Sequence, residues 1–314
     1  MRLFISCVGV EKQHPSSLLA KRYVSEGYNV LSLYTKSRSI LSLLNDTFYL
    51  FKVVFRQRNE VEEIIANVNG SISRFLISII MLMFNVRKTS FYIMDVYPGC
   101  LRFLLKGWVV FFPFFYLLEF LSLLIVKRVI VIDEGFYELS PLCLFKHKMV
   151  LKRLKFDFNY EVKPSKGSMV GIIGNTSFDF LERNKSDIEY IMNKFSVLVA
   201  SSNHLPCWLI DNTEEKYCPW NKEDTNVVFS KLKYNLICAD IYRLTYCSPS
   251  KIIDSYVRGI TPVLFLSNEE LELIKHREIY RYCISIESLL DKNDMGLNVI
   301  YEEQELIEHS RIWR

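Results

Sequence analysis

The sequence predicts an α/β protein with two domains, each built on a parallel sheet with helices on both faces. Apolar segments of strand length alternate with amphipathic helical segments through the first half, and the alternation restarts at residue 169. Residues 246–266 then read as a turn, a helix, a glycine stop and a buried strand. A chain of 314 residues is long enough for two domains of ordinary size.

The predicted elements follow in order along the chain. In the first half we expect strands at residues 3–8, 29–35, 63–68, 90–95 and 126–132, and helices at residues 17–27 and 71–84. After residue 132 the pattern gives way to basic and aromatic loops. In the second half we expect strands at residues 169–175, 195–201 and 234–240, and helices at residues 179–194 and 298–314.

A charged segment, residues 158–166, separates the two halves. It holds Pro164 and is followed by Gly167, a combination typical of an interdomain linker. The predicted domains are therefore residues 1–160 and 161–314.

The two halves differ in charge. Residues 1–160 contain 21 lysines and arginines against 12 acidic residues, a net charge of +9, whereas residues 161–314 contain 18 against 23, a net charge of −5. A basic half with exposed apolar segments suits an anionic membrane surface. Nucleic acid is not expected as a partner, because no basic run with interleaved stacking aromatics is present.

The cysteines and the N-terminus indicate the compartment. The eight cysteines are scattered without a CxxC pair, so neither a disulfide framework nor a zinc site is expected. Met1-Arg2 leads into a short apolar run followed by polar residues, which is not the pattern of a cleavable signal. We expect a cytoplasmic protein.

Two apolar segments in the first half are candidates for membrane contact. Residues 108–126 have nearly the length of a membrane span, but Pro113 and the central Glu119 favour a buried or partly membrane-embedded helix. In residues 37–58 apolar side chains recur at helical spacing, at Ile40, Leu41, Leu44, Phe48, Phe51 and Phe55. Cations lie near the ends of that segment, at Arg38, Lys52, Arg56 and Arg58. It is either a helix lying in the membrane interface or a core helix of the first domain.

Residues 246–266, YCSPSKIIDSYVRGITPVLFL, hold the most informative pattern. Pro249 and Ser250 suit a helix start, where a serine side chain caps the first N–H groups. Those N–H groups attract anions, and Lys251 adds a charge beside them. Asp254 lies one turn further on the same side, where a carboxylate accepts hydrogen bonds from two neighbouring hydroxyls. Together these residues predict a nucleotide-sugar pocket.

This segment resembles the signature of the GT-B glycosyltransferases, in the group that builds bacterial surface polysaccharides. The matching residues are Pro249, Ser250, Lys251, Asp254, Tyr256, Gly259, Pro262 and Val263. The resemblance implies two Rossmann-like domains facing across a cleft, with the acceptor on the first and the sugar nucleotide on the second. It assigns Asp254 to the ribose, and we also expect the glycine turn at Gly174 to lie on the donor side. It also implies that the final helix often crosses back to the first domain.

The sequence departs from that signature in several places. An aspartate stands at position 254 where glutamate is usual, and Ser250 stands where asparagine is common. Tyr246 occupies the donor-side position where many members carry a glutamate that touches the sugar. Asn175 stands where members place an arginine, and the spacing of Arg183 and Lys185 does not replace it. Lys251 is therefore the main expected cation.

In the first domain, His14 and Asp95 are the candidate bases for an acceptor hydroxyl. His14 lies in the loop after the first strand and Asp95 ends a later one, so both belong to the edge where open α/β sheets bind ligands. The alternatives are a turn at His14 and a capping role for Asp95. Gly9 suits either a close backbone approach to the acceptor or simple packing.

None of the twelve aspartates has another aspartate two positions away, so no DxD metal motif is present. We therefore expect a reaction without metal or cofactor, in which helix N–H groups and cations stabilise the departing diphosphate. The leading hypothesis is transfer of a sugar from a nucleotide-diphosphate donor to a lipid-linked saccharide, in O-antigen or capsule assembly at the inner face of the membrane. The alternative is a non-catalytic subunit that docks to an active partner or to the membrane. A nucleotide-sugar 2-epimerase of the same fold fits the membrane-like first half less well.

Overall fold

The fold is described from a computed structural model. It describes residues 1–6, 15–33, 40–84, 88–97, 99, 108–153, 167–174, 176–201, 204–218, 225–291, 305, 308–309 and 311. By its contacts the chain forms two compact units. The first unit is Met1–Leu154 with Tyr246–Ser248, and the second is Lys155–Thr245 with Pro249–Arg314. The predicted linker at residues 158–166 lies outside the described residues.

The first unit is a six-stranded parallel sheet with helices between its strands. Its strands are β1 (Arg2–Ser6), β2 (Asn29–Ser32), β3 (Glu63–Asn67), β4 (Lys88–Ile93), β5 (Arg128–Val131) and β6 (Met149–Leu151). Its helices are α1 (Pro15–Ser25), α2 (Ile40–Arg56), α3 (Ser71–Met83) and α4 (Trp108–Ile125). The sheet order is β2-β1-β3-β4-β5-β6, and every described pair is parallel.

The second unit is another six-stranded parallel sheet. Its strands are β7 (Met169–Ile173), β8 (Val197–Ala200), β9 (Glu215–Tyr217), β10 (Leu232–Ile237), β11 (Thr261–Leu264) and β12 (Ile284–Ser285). Its helices are α5 (Phe178–Arg183), α6 (Lys185–Lys194), α7 (Cys207–Asp211), α8 (Thr225–Ser230), α9 (Ile241–Tyr246), α10 (Ser250–Val257), α11 (Asn268–Ile274) and α12 (Ile286–Asp291). The order β12-β11-β10-β7-β8-β9 reverses direction between β7 and β10. Such a reversal is where doubly wound sheets bind ligands, at the carboxyl ends of the strands.

The predicted strands are confirmed to within a few residues, and two other predictions need correction. The helix predicted at 179–194 is two helices, because Asn184 leaves the helical conformation and its side chain donates to the carbonyl oxygen of Phe180 at 2.7 Å. The region expected to be loops after residue 132 instead contains 3₁₀ turns at Glu134–Glu138 and Leu142–Lys148, followed by β6. Of the last predicted helix, only residues 305, 308, 309 and 311 are described. His309 is buried there against the rings of Tyr256 and Tyr282.

The apolar helix α4 is joined to α3 by a buried ion pair. Arg74 and Glu119 are each 1% exposed, and the guanidinium donates to the Glu119 carboxylate. Arg74 also donates to the carbonyl oxygens of Val68 at 3.2 Å and Asp95 at 2.9 Å. Glu119, the residue that made a membrane span unfavourable in the sequence analysis, therefore has a charged partner inside the unit. Among the described residues, no helix combines the length and the apolar character that crossing a membrane requires.

The amphipathic helix α2 presents its predicted apolar face at the surface. Leu44, Phe48 and Phe55 are about half exposed or more, while Leu50 and Val54 are buried beneath them. Phe55 also contacts Phe84 after α3, with ring centroids 6.0 Å apart. The helix thus has a core face, but that face is not the one the sequence pattern marked.

Candidate functional site

Helix α10 is fixed to the central strand β10 at the edge where the strand order reverses. Asn235, buried on β10, donates to the Ser255 hydroxyl at 2.8 Å, and Ser255 donates to the carbonyl oxygen of Lys251 at 2.8 Å. The helix ends before Gly259, whose φ of 70° is the left-handed conformation that favours glycine. The predicted succession of helix, glycine stop and buried strand is confirmed. Its consequence is that the backbone of Lys251 is held in place.

The Lys251 ammonium lies against Gly174, the residue that follows β7. A methyl group built on Gly174 would lie 3.3 Å from Lys251 Cε and 3.6 Å from Nζ. Gly174 has a φ of 79°, so glycine suits both the backbone turn and the close approach of the lysine. The structure therefore brings together two of the predicted donor-side residues, Gly174 just after β7 and Lys251 on α10, the helix bonded to β10.

The charge of Lys251 is sensitive to its surroundings. The pKa of Lys251 is lowered to about 8, chiefly by burial of the ammonium, with Cys238 opposing the shift and the positive charge of Arg243 adding to it. The buried thiol of Cys238 keeps its proton, because burial raises the pKa of Cys238 to about 12. The charges of Lys251 and Arg243 are close enough to influence each other, an arrangement suited to an anion.

Arg243 is the site residue that the sequence prediction missed. It lies on α9, which begins just after β10, and its backbone N–H donates to the Asp240 side chain at 2.9 Å. The available signal was its position, six residues past the end of a strand that reaches the ligand-binding edge. Arg183 and Lys185, whose spacing did not fit the missing family arginine, contact other groups. Arg183 donates to the carbonyl oxygen of Asp179 at 3.2 Å, and Lys185 lies 3.6 Å from Glu189.

Asp254 lies one turn after Ser250 and already has a cationic partner. Its carboxylate accepts a hydrogen bond from Arg258 at 3.0 Å, with the two side chains 27% and 10% exposed. Arg258 in turn lies 4.2 Å from the ring centre of Phe229. Burial raises the pKa of Asp254, and Arg258 opposes that rise. The ribose-binding role of Asp254 remains a prediction, one that requires hydroxyls to share or replace this partner.

The prediction that Ser250 caps α10 is wrong. Pro249 occupies the N-cap position and no side chain caps the helix. The carbonyl oxygen of Pro249 accepts the N–H groups of Ile252 at 2.9 Å and Ile253 at 3.1 Å, so Ser250 is already inside the first turn. Ser250 therefore contributes its first-turn N–H group, which has no acceptor within a helix, rather than a capping hydroxyl.

Asp95 and Tyr246 lie together in the first unit. One Asp95 oxygen accepts the N–H of Ser248 at 2.8 Å, and the carbonyl oxygen of Tyr246 accepts the N–H of Val96 at 2.8 Å. The Tyr246 ring lies over Gly99, where a methyl group would be 2.2 Å from its Cδ1 atom. Asp95 thus accepts a backbone N–H, as a capping residue does, but from Ser248 and not from the segment that follows Asp95 in the sequence. The catalytic role of Asp95 and the donor-side role of Tyr246 stay predictions.

Two predicted residues cannot be placed. Gly9 and His14 lie outside the described residues, so their proposed roles stay predictions. Within the described part of the chain, no group of three or more histidines, cysteines, aspartates and glutamates is arranged to hold a metal ion. The prediction of a metal-independent reaction also stays untested.

The two parallel sheets, with a candidate anion site at the reversal of the second, define the fold as that of the GT-B glycosyltransferases. The glycotransferase of kitacinnamycin is 9% identical with a TM-score of 0.55, and the match covers 99% of this chain and 94% of that one. MurG of Acinetobacter baumannii is 10% identical with a TM-score of 0.51, covering 100% and 94%.

A third similar structure is the lipopolysaccharide outer core galactosyltransferase WaaB in its apo form. It is 7% identical with a TM-score of 0.55, and the match covers 100% of this chain and 95% of that one. Neither a protein-family model nor a curated protein sequence matches this chain. At these identities the likeness concerns the fold.

Proposed function

We propose that the protein is a metal-independent glycosyltransferase that moves a hexosyl or related sugar from a nucleotide-diphosphate donor to a lipid-linked saccharide. The observation that carries this proposal is the Lys251 ammonium, held against Gly174 where the strand order of the second sheet reverses. The acceptor class is supported by the resemblance to surface-polysaccharide enzymes and by the structural likeness to WaaB. O-antigen or capsule assembly is the proposed setting.

In this proposal the donor diphosphate binds Lys251, Arg243 and the first-turn N–H groups of α10. These groups stabilise the negative charge that grows on the diphosphate as the glycosidic bond to the sugar breaks. Asp254 accepts hydrogen bonds from the ribose hydroxyls. His14 or Asp95 removes the proton from the acceptor hydroxyl.

The first unit provides the proposed membrane contact. Several apolar residues of this unit are at least half exposed: Val110, Phe111, Phe114 and Leu117 of α4, and Leu44 and Phe48 of α2. The cations Lys52, Arg56 and Arg58 are exposed on or just after α2. Apolar side chains beside cations suit the headgroup region of an anionic membrane. We propose a peripheral location at the inner face of the cell membrane.

Thermal stabilisation by a panel of sugar nucleotides tests the proposal. The panel contains diphosphate sugars of uridine, guanosine and thymidine, each with and without EDTA, and at least one is expected to raise the melting temperature of the native protein in both conditions. Lys251→Ala is expected to abolish that shift. The control variant, Lys216→Ala, removes an exposed lysine of the same unit and is expected to keep it.

The other outcomes have fixed meanings. If no nucleotide sugar stabilises the native protein at millimolar concentration, the non-catalytic subunit is the better hypothesis. Stabilisation that disappears with EDTA contradicts the metal-independent mechanism and leaves the fold unaffected.

A further inference from the structure

One short segment of the second unit holds both helices that carry the cations of the candidate site. The segment is the 3₁₀ turn Glu278–Tyr280, which lies between α11 and β12. The Tyr280 hydroxyl donates to the carbonyl oxygen of Leu244 on α9. The Tyr256 hydroxyl of α10 donates to the carbonyl oxygen of Ile279 in the turn at 2.9 Å. The two helices are therefore joined through the turn by two hydroxyl groups.

Both of these hydrogen bonds lie in the core. Tyr256 and Tyr280 are fully buried, and Leu244 and Ile279 are buried as well. The sulfur of Cys283, which is also buried, lies 3.1 Å from the Tyr256 hydroxyl oxygen and adds a second contact there. A buried hydroxyl without a partner costs free energy, so folding favours the arrangement in which both bonds are made. The turn is therefore fixed against the two helices.

Helix α9 depends on such an outside contact. It has six residues, and a helix this short is not stable by itself. The N–H of Ser248, which would bond to Leu244 if the helix continued, donates instead to Asp95 at 2.8 Å. The Leu244 carbonyl is thus one of the terminal helix carbonyls that need a partner from elsewhere, and Tyr280 supplies it.

The two cations of the candidate site lie close to these contacts in the sequence. Arg243 directly precedes Leu244 on α9, and Lys251 lies in the first turn of α10, five residues before Tyr256. Arg243 is close enough to Lys251 for its charge to lower the pKa of the lysine. Because like charges repel, a site that binds one diphosphate with both cations needs a structure that keeps them together.

We infer that Tyr280 and Tyr256 are positioning residues, which hold Arg243 and Lys251 at the spacing that one diphosphate group requires. This inference rests on the proposed function and adds two residues that act through the cations. It differs from a purely structural role in its consequences. In a purely structural role, loss of either hydroxyl would lower stability without changing how the two cations interact.

Calorimetric titrations with inorganic pyrophosphate between about pH 7 and pH 9 test the inference. Tyr280→Phe and Tyr256→Phe each remove one hydroxyl and keep the ring, and each is expected to weaken binding at the lower pH about threefold to tenfold. The fall in affinity with rising pH is also expected to move to higher pH, because Lys251 keeps its proton longer when Arg243 lies further away. The ionisation of pyrophosphate is the same in every titration, so differences between variants report the protein.

The Arg243→Ala variant shows whether the Tyr280 hydroxyl acts through the cation. Arg243→Ala is expected to weaken pyrophosphate binding and to move the pH profile in the same direction. Adding Tyr280→Phe to it is expected to change neither quantity further, because the group that Tyr280 positions is gone. The matched control is Tyr92→Phe, which removes the hydroxyl of a buried tyrosine that donates to the carbonyl oxygen of Lys152 at 3.1 Å in the first unit. This control is expected to leave pyrophosphate binding unchanged.

The remaining outcomes separate this inference from the proposed function. Unchanged affinity and an unchanged pH profile in both tyrosine variants overturn the inference alone. A loss of affinity without a shift of the profile, or an equal loss in the Arg243→Ala variant, overturns it too, because the hydroxyls would then support the fold rather than the cations. If the native protein binds neither pyrophosphate nor a nucleoside diphosphate, the proposed function fails and the inference fails with it.

Discussion

Each of the two units contains an arginine–carboxylate pair, and the two pairs differ in burial and in sequence separation. Arg74 and Glu119 are 45 residues apart in the sequence, on two different helices, and are each 1% exposed. Asp254 and Arg258 lie one turn apart on α10, and their side chains are 27% and 10% exposed. The first pair is closed to solvent, whereas the second has a side open to a ligand. The comparison suggests that the first pair serves the fold and the second serves binding.

The expected energies of the two pairs differ accordingly. Removing one partner of a buried pair leaves an uncompensated charge, which costs about 3–5 kcal/mol. Exposed ion pairs one turn apart on a helix contribute only about 0.3–0.5 kcal/mol, and the partly buried Asp254–Arg258 pair is expected to lie between these two limits. Because the Asp254 carboxylate is partly exposed, whereas that of Glu119 is not, only Asp254 can accept hydroxyl groups from a ligand. The predictions below test this contrast, from the largest expected effect to the smallest.

Breaking the buried pair should destabilise the first unit strongly. Arg74→Met and Glu119→Leu are each expected to lower the free energy of unfolding by about 3–5 kcal/mol, measured by urea denaturation. The double variant is expected to lose less than the sum of the two single losses, because no buried charge remains without a partner. Single losses below about 1 kcal/mol would show that the pair is solvated or dispensable, and the contrast between the units would fail.

Removing the carboxylate of the partly buried pair should weaken binding and should destabilise the protein less than breaking the buried pair. Asp254→Ala is expected to weaken a nucleotide sugar by about 1.5–3 kcal/mol, because two ribose hydroxyls lose a charged acceptor. The free energy of unfolding is expected to fall by about 1–2 kcal/mol, because Arg258 is mostly buried and loses its charged partner. Glu189→Ala, which breaks the Lys185–Glu189 pair of the same spacing on α6, is the control and should leave affinity unchanged. Normal donor affinity in Asp254→Ala would remove this residue from the site.

The second unit should also bind its ligand in a pH-dependent way. Lys251 has a pKa lowered to about 8, so its ammonium is present below that pH and is lost above it. The affinity for a nucleoside diphosphate is therefore expected to fall about tenfold between pH 7 and pH 9, followed by calorimetry. Lys251→Arg keeps its charge throughout and should flatten the profile. A native profile that stays flat would mean that the lysine charge does not contact the phosphates.

The smallest effects concern the exposed cations of the first unit, which we expect to bind a membrane surface rather than the sugar nucleotide. Changing Lys52, Arg56 and Arg58 to glutamine should cost about 1 kcal/mol each in binding to vesicles that contain anionic lipid. Native binding should fall as salt rises, because exposed charges are screened over about 8–10 Å. The control changes Lys185, Lys216 and Lys233 of the second unit. Arg38, the fourth predicted cation, lies outside the described residues.

Two results would contradict this part of the comparison. Vesicle binding that persists at high salt and after alkaline carbonate extraction would indicate an integral attachment. An equal loss in the control variant would show that net charge, rather than the surface of α2, governs binding.

The sequence was most informative where local patterns decide the structure. The glycine stop at Gly259 and the buried strand β11 follow from conformational freedom and apolar character, both of which are local properties. Asn184 was missed because the apolar periodicity continues through it, while its side chain bonds to the carbonyl of Phe180. The edge strand β9 was missed because the residues Glu215–Tyr217 are short and polar.

Two of the contacts that were missed depend on partners far away in the chain. Arg74 in an apolar helix gives no local sign of Glu119, since their pairing is decided by how α3 and α4 pack. In the same way, the closeness of Lys251 to Gly174 depends on the adjacency of β7 and β10, which periodicity does not encode. The sequence did identify Lys251 and Asp254 as residues of one helix. The Asp254–Arg258 pair has the four-residue spacing of a local helical pattern, so the sequence could have shown it, whereas the closeness of Arg243 to Lys251 depends on how α9 and α10 pack.

Gly174 has a consequence for how this sequence can drift over evolutionary time. Any other residue there must adopt a φ of 79° that side chains disfavour, and its first carbon would crowd the Lys251 side chain at 3.3 Å. Substitution of Gly174 would therefore both strain the turn and displace the Lys251 ammonium. In a descendant that has lost Lys251, a side chain at position 174 would no longer be crowded and only the backbone strain would remain. Exchange of Gly174 should therefore be tolerated first in descendants that have already lost the lysine.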